Sequence, residues 1–507
     1  MGTTAVLSPS VLTRLLRSWR VLAPVLCFGL VGAGWVLSTP SGAGVDESSH
    51  FVHLLGIAEG TLLGEDVPAD LPQGDHLTAR QTARTNEESG FFDVRAPLWI
   101  PNRCNEFDLA QPYDCAQGTP TTSTTQGLSI HAHTLPAAYM LPALASLAGS
   151  TTWRAMALAR GAFLLQDLAL MAVIAFALRR AVRAPTAAAL STLALCVTPL
   201  LAFQSGTLSP NGTETWAALA YVAALAAAAE VRSSQWWWTA VVCGAIACWS
   251  RDLGLVYVGG FGVAVAIARP ALVPWLRSRR RSADAIGAIV LALAAIGATI
   301  WQAVLKASLG LDWGGPSQWW ADLGSTFRLL WESIGLLGWV NLPIDPAINA
   351  VWAVAWIVGV AVLFVRADRR TRLAAAALGV LYVVATIGLL ATMRPQGYGV
   401  QARHTMAIPM AAVVVLATGQ PALRDTRRWP LVLACAVVAF GNLSGLLLSA
   451  QHNATGIGGG GMDFSGVAWA PPGGWPLSLA LFGIATASVL ALPVVTGRRR
   501  AREAVAA

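Results

Sequence analysis

Val21-Leu-Ala-Pro-Val-Leu-Cys-Phe-Gly-Leu-Val-Gly-Ala-Gly-Trp-Val-Leu37 runs almost directly into Pro40-Ser-Gly-Ala-Gly-Val-Asp46-Glu47-Ser-Ser-His50. The first stretch supplies most of the roughly 20 apolar residues that a helix needs to cross hydrocarbon. The second delivers two carboxylates and an imidazole at the water boundary. Carboxylates held near hydrocarbon are costly and tend to be functional. Asp46 and Glu47 are therefore candidates for a base or metal ligand acting on a substrate that arrives from lipid. The alternative is that both acids cap and solvate the first turn of the next helix.

The 507 residues are 55% hydrophobic and only 12% charged, about half the charged share of a soluble domain. A soluble fold would leave apolar surface uncovered, so the chain reads as an all-α integral membrane protein. The net charge of +8 does not point to nucleic acid, because the basic residues lie in short clusters between apolar runs. About twelve transmembrane helices are expected, at 21–39, 156–178, 186–204, 213–230, 236–250, 253–268, 284–305, 347–365, 373–392, 405–423, 429–449 and 475–496. The fifth and sixth are short and flank Arg251-Asp252, as a hairpin that stops short of a full crossing would.

Orientation follows the arginines. Clusters at Arg14 to Arg20, Arg179 to Arg183, Arg277 to Arg281, Arg366 to Arg372, Arg424 to Arg428 and Arg498 to Arg502 hold most of the 34 basic residues. All of them fall on one side when twelve spans are threaded. The expected organisation is a cytoplasmic N-terminus (1–20), a first transmembrane helix (21–39), a long extracytoplasmic loop with interfacial helices (40–155), a bundle (156–496) and a cytoplasmic basic tail (497–507). The first apolar run is longer than a signal-peptide core and lacks a clear cleavage pattern, so it reads as a retained anchor.

The long loop carries the candidate chemistry. Cys104 and Cys115 read as a disulfide, which by chain entropy would stabilise the loop by roughly 3 kcal/mol. Residues 46–62 have apolar positions at helical spacing and read as an amphipathic helix lying on the membrane. The segment 131–147, interrupted by Pro136 and Pro142, also reads as interfacial, and His131 and His133 read as solvated loop histidines with metal ligation as the alternative. Outward-facing arginines are scarce. Arg251 and Arg403 are the candidates for binding a lipid phosphate, since arginine grips phosphate through two N–H groups; the alternative is pairing with acids such as Asp252. Asp167, mid-span in the second helix, reads as a structural acid paired with an arginine across the bundle.

A first span followed by Asp-Glu-x-x-His and a long outer loop resembles the GT-C superfamily of polyprenyl-phosphate-sugar-dependent glycosyltransferases. The closer resemblance is to a bacterial branch of predicted membrane proteins. That branch shows a Pro-rich turn before Asp-Glu-x-x-His, here 40–50. It shows Ser-x-Asn after the third span, here Ser209-Pro-Asn211, an arginine between spans five and six, here Arg251, and a Gly-Trp element, here Gly338-Trp339. Its Gln-Gly-Arg-Tyr is replaced by Gln401-Ala402-Arg403-His404, which keeps the Gln and Arg and puts the role of that loop in question.

The resemblance implies an inverting transferase. Asp46 would be the base that deprotonates an acceptor hydroxyl, with Glu47 as alternate base, orienting group or metal ligand. His50, Arg251 and Arg403 would bind the donor phosphate, and Asn211, Trp339, Gln401 and His404 would contact substrate. The implied partners are a polyprenyl-phosphate sugar, membrane lipid, and a glycan, lipid or protein acceptor at the cell envelope, with no nucleic acid. No cofactor is certain, and a divalent cation stays open. The implied location is a bacterial plasma membrane, multi-pass, with both termini cytoplasmic and the active site extracytoplasmic. A transporter or flippase of a lipid-linked sugar and an en bloc glycan ligase are the competing readings. The sequence selects no sugar and no acceptor.

Overall fold

A computed structural model of the chain describes residues 9–72, 78–95, 98, 108–113, 126–182, 186–279, 283–305, 310–420, 429–457 and 467–495. Cys104 and Cys115 lie outside the described residues. The helices in chain order are α1 (Pro9–Ser38), α2 (Glu47–Ala58), α3 (Ala79–Glu88), α4 (Met140–Ser146), α5 (Thr152–Phe176), α6 (Thr186–Cys196), α7 (Pro199–Ser205), α8 (Pro210–Val231) and α9 (Ser234–Cys248). They continue as α10 (Gly254–Ala268), α11 (Leu272–Ser278), α12 (Ala283–Leu305), α13 (Pro316–Gly335), α14 (Pro346–Arg366), α15 (Arg369–Met393), α16 (Ala407–Thr418), α17 (Trp429–Thr455) and α18 (Gly474–Val495).

The apolar runs expected to span are helical over their described residues, without establishing the count of twelve. Among the described residues eight helices are long and apolar enough to cross a membrane, or up to ten if two bent pairs each count as one. The third expected span breaks by 74° between α6 and α7. Pro199 removes an amide donor there, and Thr198 starts a new helix by accepting a hydrogen bond from the Leu201 amide at 3.1 Å. A second break, of 102°, separates α10 from α11 beside Pro270. Helices α9 (15 residues) and α16 (12 residues) are short. Helix α13 was missed as an element because Asp322, Arg328 and Glu332 interrupt its apolar residues. It is amphipathic, with Trp319, Trp320, Phe327 and Trp331 exposed along one face, the composition of an interfacial helix.

Helix α8 runs through the centre of the bundle and is buried from Pro210 to Ala229. Its alanine-rich surface lets α5, α9, α10 and α16 pack closely around it. Helix α12 is the opposite case, with Leu293, Ile296 and Ile300 exposed. An apolar face this continuous needs lipid to cover it.

The segment after α1 is not a helix lying on the surface. Helix α2 is buried on all sides from Glu47 to Ile57, which corrects the amphipathic reading of 46–62. It is enclosed by α4 and by a two-stranded antiparallel hairpin, β1 (Gly90–Asp93) with β2 (Gln126–Ser129), in which Phe91 faces Leu128. Ser49 fixes the hairpin to α2: its Oγ accepts from the Ile130 amide at 2.7 Å, and Ser129 Oγ donates to the Ser49 carbonyl at 2.9 Å.

The α9–α10 turn is equally tight. A methyl group added at Gly254 would lie 1.9 Å from the Ala247 carbonyl oxygen, so Gly254→Ala forces the two helices apart. Overpacking of this kind costs about 1–3 kcal/mol. A thermal melt in detergent should show Gly254→Ala below wild type, and an unchanged melt would mean that the turn gives way freely.

Candidate functional site

Glycine-rich chain between α1 and α2 turns sharply, and the turn is held from inside by one ion pair. Glu47 and Arg160 of α5 are both 0% exposed. Arg160 Nε donates to Glu47 Oε1 at 2.7 Å and Nη2 to Oε2 at 2.6 Å. The same guanidinium donates to the Thr39 and Pro40 carbonyls at 2.6 Å each, filling the open end of α1. Glu47 in turn accepts from the amides of Gly42, Gly44 and Leu208 at 3.0 to 3.1 Å. Its oxygens are consumed by the fold, and Glu47 does not line the cavity described below. The residue expected as a second base is a clamp joining α1, α2, α5 and the α7–α8 turn.

Asp46, one residue earlier, is left pointing the other way. It sits at the N-cap of α2 with φ 56°, in the left-handed region, which Asp and Asn enter more readily than other side chains. Its Oδ2 accepts from Arg403 Nη2 at 2.7 Å, and His131 Nε2 lies 3.5 Å from the same oxygen. Burial pushes the Asp46 carboxyl up, but the Arg403 guanidinium and the His131 contact outweigh it and hold the group well below the usual carboxylate range. The acid is a carboxylate at neutral pH.

His50, one turn along α2, is buried. Its Nδ1 bonds to the Tyr139 hydroxyl at 2.7 Å, and its ring stacks on His131 with centroids 4.2 Å apart and planes 11° from parallel. Burial lowers the His50 and His131 values, so both rings are neutral. The sequence reading took His131 as solvated; β2 and the Ser49 contacts carry it instead onto the carboxylate. Tyr139 gave no signal in sequence at all.

Asp46 opens into a cavity of about 280 Å³ whose wall includes His131, His133, Arg251, Asp252, Gln401, Arg403 and His404. Helix α3 closes one side with Arg84, Thr85 and Glu88. It is docked there through Gln81, whose Nε2 donates to the Gly397 carbonyl at 3.0 Å, and through Thr85 against the Tyr398 hydroxyl. The Arg251 side chain lines the cavity and makes no hydrogen bond or salt bridge among the described residues; Asp252, Glu214 and Asp46 are the acids whose charge acts on it. Arg403 and His404 lie in the turn between α15 and α16, where the Tyr257 hydroxyl donates to the His404 carbonyl.

The remaining expected residues fall into two groups. Gln401 lines both this cavity and a narrow hollow next to it, shared with Gln204, Ser209 and Arg403. Asn211 and Trp339 line neither: Asn211 is buried in the first turn of α8, and the Trp339 amide donates to Asn341 Oδ1 at 3.1 Å. Asp167 has no arginine partner among the described residues. It accepts from Ser205 Oγ and Thr213 Oγ1 at 2.7 Å each, tying α5 to α7 and α8.

An apolar groove of about 150 Å³ lies on the far side of α7, lined by Phe327, Trp331, Trp352 and Trp356 among others. Thr198, the cap of α7, is on its wall, and Phe203 and Gln204, at the other end of the same helix, line the narrow hollow beside Arg403. Leu200, two residues from Thr198, also lines the hollow, so both openings lie along the same short helix.

No curated protein and no solved structure matches the chain. Residues 28–412 match a family model that takes in the end of α1 and the residues lining the cavity. The chain is a multi-pass membrane protein and belongs to the DUF2142 family of predicted membrane proteins.

Proposed function

We propose that the chain is a glycosyltransferase that moves a sugar from a polyprenyl-phosphate donor to an acceptor at the outer face of the membrane. The observation that carries this reading is the ionised Asp46, paired with Arg403, on a cavity wall that Arg251 and Arg84 also line. An acceptor hydroxyl in the cavity loses its proton to the carboxylate as its oxygen attacks the anomeric carbon. The sugar–phosphate bond breaks with inversion, and the lipid phosphate leaves. Arg251 and Arg403 face the charge that develops on the leaving oxygens, and the tryptophan-lined groove accommodates the prenyl tail. The arginine clusters of the sequence put the other end of the bundle in the cytoplasm, so this cavity faces outward.

A flippase would need ionisable groups along a path through the bilayer. Asp167 is the main such group, and both of its oxygens are taken by hydroxyls. An en bloc ligase differs only in the donor, and is separated by which synthetic lipid the purified protein consumes.

The test is envelope glycan mass spectrometry of a deletion strain, complemented with variants, alongside transfer from synthetic polyprenyl-phosphate sugars in detergent. Arg251→Ala removes charge-assisted hydrogen bonds worth about 1.5–3 kcal/mol, so kcat/KM for the lipid donor should fall about 10- to 100-fold. An unchanged value would remove Arg251 from phosphate binding. Consumption of no donor sugar by the wild-type protein, with envelope glycans intact in the deletion strain, would end the transferase reading.

A further inference from the structure

Asp46, His50 and His131 each offer a ligand atom, and these atoms all lie within 4.8 Å of one another. We infer that they form a binding site for a zinc-like divalent metal ion, with two imidazole nitrogens, one carboxylate oxygen and at least one open position toward the cavity.

The ligand chemistry selects the metal class. Two imidazoles and one carboxylate suit zinc and its first-row neighbours, whereas calcium and magnesium take oxygen ligands. The donor atoms are also available. His50 Nε2 and His131 Nε2 are buried and have no hydrogen-bond partner, and buried ring nitrogens are normally satisfied. Arg403 engages only one of the two Asp46 oxygens, which leaves the other for a metal.

The orientation of His50 fits the same role. A ligating histidine usually has its second nitrogen fixed by an outer partner. Here the Tyr139 hydroxyl holds Nδ1 at 2.7 Å. When Nδ1 carries the proton toward the Tyr139 hydroxyl, the unpartnered Nε2 is left with a free lone pair. The fold builds the ligand set from two segments: the N-cap and next turn of α2, and the chain leaving β2.

The distances require a small closure. With metal–ligand bonds of about 2.1 Å in a tetrahedron, donor atoms sit about 3.4 Å apart, so a pair at the 4.8 Å limit would have to approach by at most about 1.4 Å. Side-chain torsions of Asp46 and His131, both on the cavity wall, supply that movement. A metal here would take Asp46 through Oδ1 while Arg403 holds Oδ2, so the metal-bound carboxylate and the free base of the transfer step are alternative states of Asp46.

Metal content is measured without donor or acceptor, so this proposal and the transferase reading stand or fall separately. The full-length protein in detergent is equilibrated with Zn²⁺, passed through gel filtration, and analysed by elemental mass spectrometry. Wild type should retain about one zinc per chain. His50→Ala and His131→Ala should each bind at least about 10-fold more weakly, and Tyr139→Phe, which changes only the outer partner, about 10- to 100-fold more weakly. Zinc should also raise the melting temperature of wild type but not that of His131→Gln, which separates loss of the site from loss of the fold. Co²⁺ in its place should give the visible absorption of a low-symmetry site. Zinc retention in wild type no higher than in the His50→Ala/His131→Ala double variant, or a zinc-independent wild-type melt, would overturn the assignment.

Discussion

Asp46→Asn should lower sugar transfer by about 10²- to 10⁴-fold, the usual contribution of a positioned base, while the protein still folds and reaches the membrane. The substitution is unusually clean at this position. The backbone of Asp46 has φ 56°, a region that Asn enters as readily as Asp and that β-branched or bulky residues avoid. Asn is also isosteric, so the Arg403 N–H bonded to Oδ2 at 2.7 Å keeps an amide oxygen to donate to. What disappears is the negative charge and the ability to take a proton. Glycan mass spectrometry of a complemented deletion strain reads the product, and gel filtration with a thermal melt reads the fold. Normal product from a folded Asp46→Asn protein would reject Asp46 as the base.

Much of the architecture is legible in the apolar runs, because a lipid-facing helix must be apolar over its whole length. The errors have local causes. Pro199 breaks a run that looks continuous in composition. Helix α13 escapes because an interfacial helix needs only one apolar face, and its charges at Asp322, Arg328 and Glu332 hide it from a search for spans. Helix α2 has the spacing of a surface helix, but α4 and the β1–β2 hairpin cover its other faces. Only long-range packing supplies that information.

The site shows the same division. Asp46 and Arg403 meet across 357 positions, and both are candidates in sequence because an acid and an arginine beside hydrocarbon are rarely idle. His131 enters only as an alternative metal ligand and Tyr139 not at all, because their importance comes from where β2 and α4 deposit them. Asp167 illustrates the reverse: a mid-span acid suggests a cationic partner, yet two neutral hydroxyls satisfy it.

The second large effect separates the two adjacent acids. Glu47→Ala should leave little folded protein, in contrast to its neighbour. Removing the carboxylate strands the fully buried Arg160 beside the amides of Gly42, Gly44 and Leu208, which lose their acceptor. Breaking a buried pair from one side costs about 3–5 kcal/mol, and membrane yield and melting temperature should both fall well below those of Asp46→Asn. Arg160→Lys should fare little better, because one ammonium cannot copy a fork that meets two carboxylate oxygens and the Thr39 and Pro40 carbonyls together. A buried pair can often be exchanged for apolar residues without penalty. Here that exchange should fail, since a Glu47→Leu/Arg160→Met protein leaves three amides and two carbonyls unpaired in a dry interior. A Glu47→Ala protein as stable as wild type would mean that water or another donor reaches this turn, and that the clamp does not set the direction in which Asp46 points.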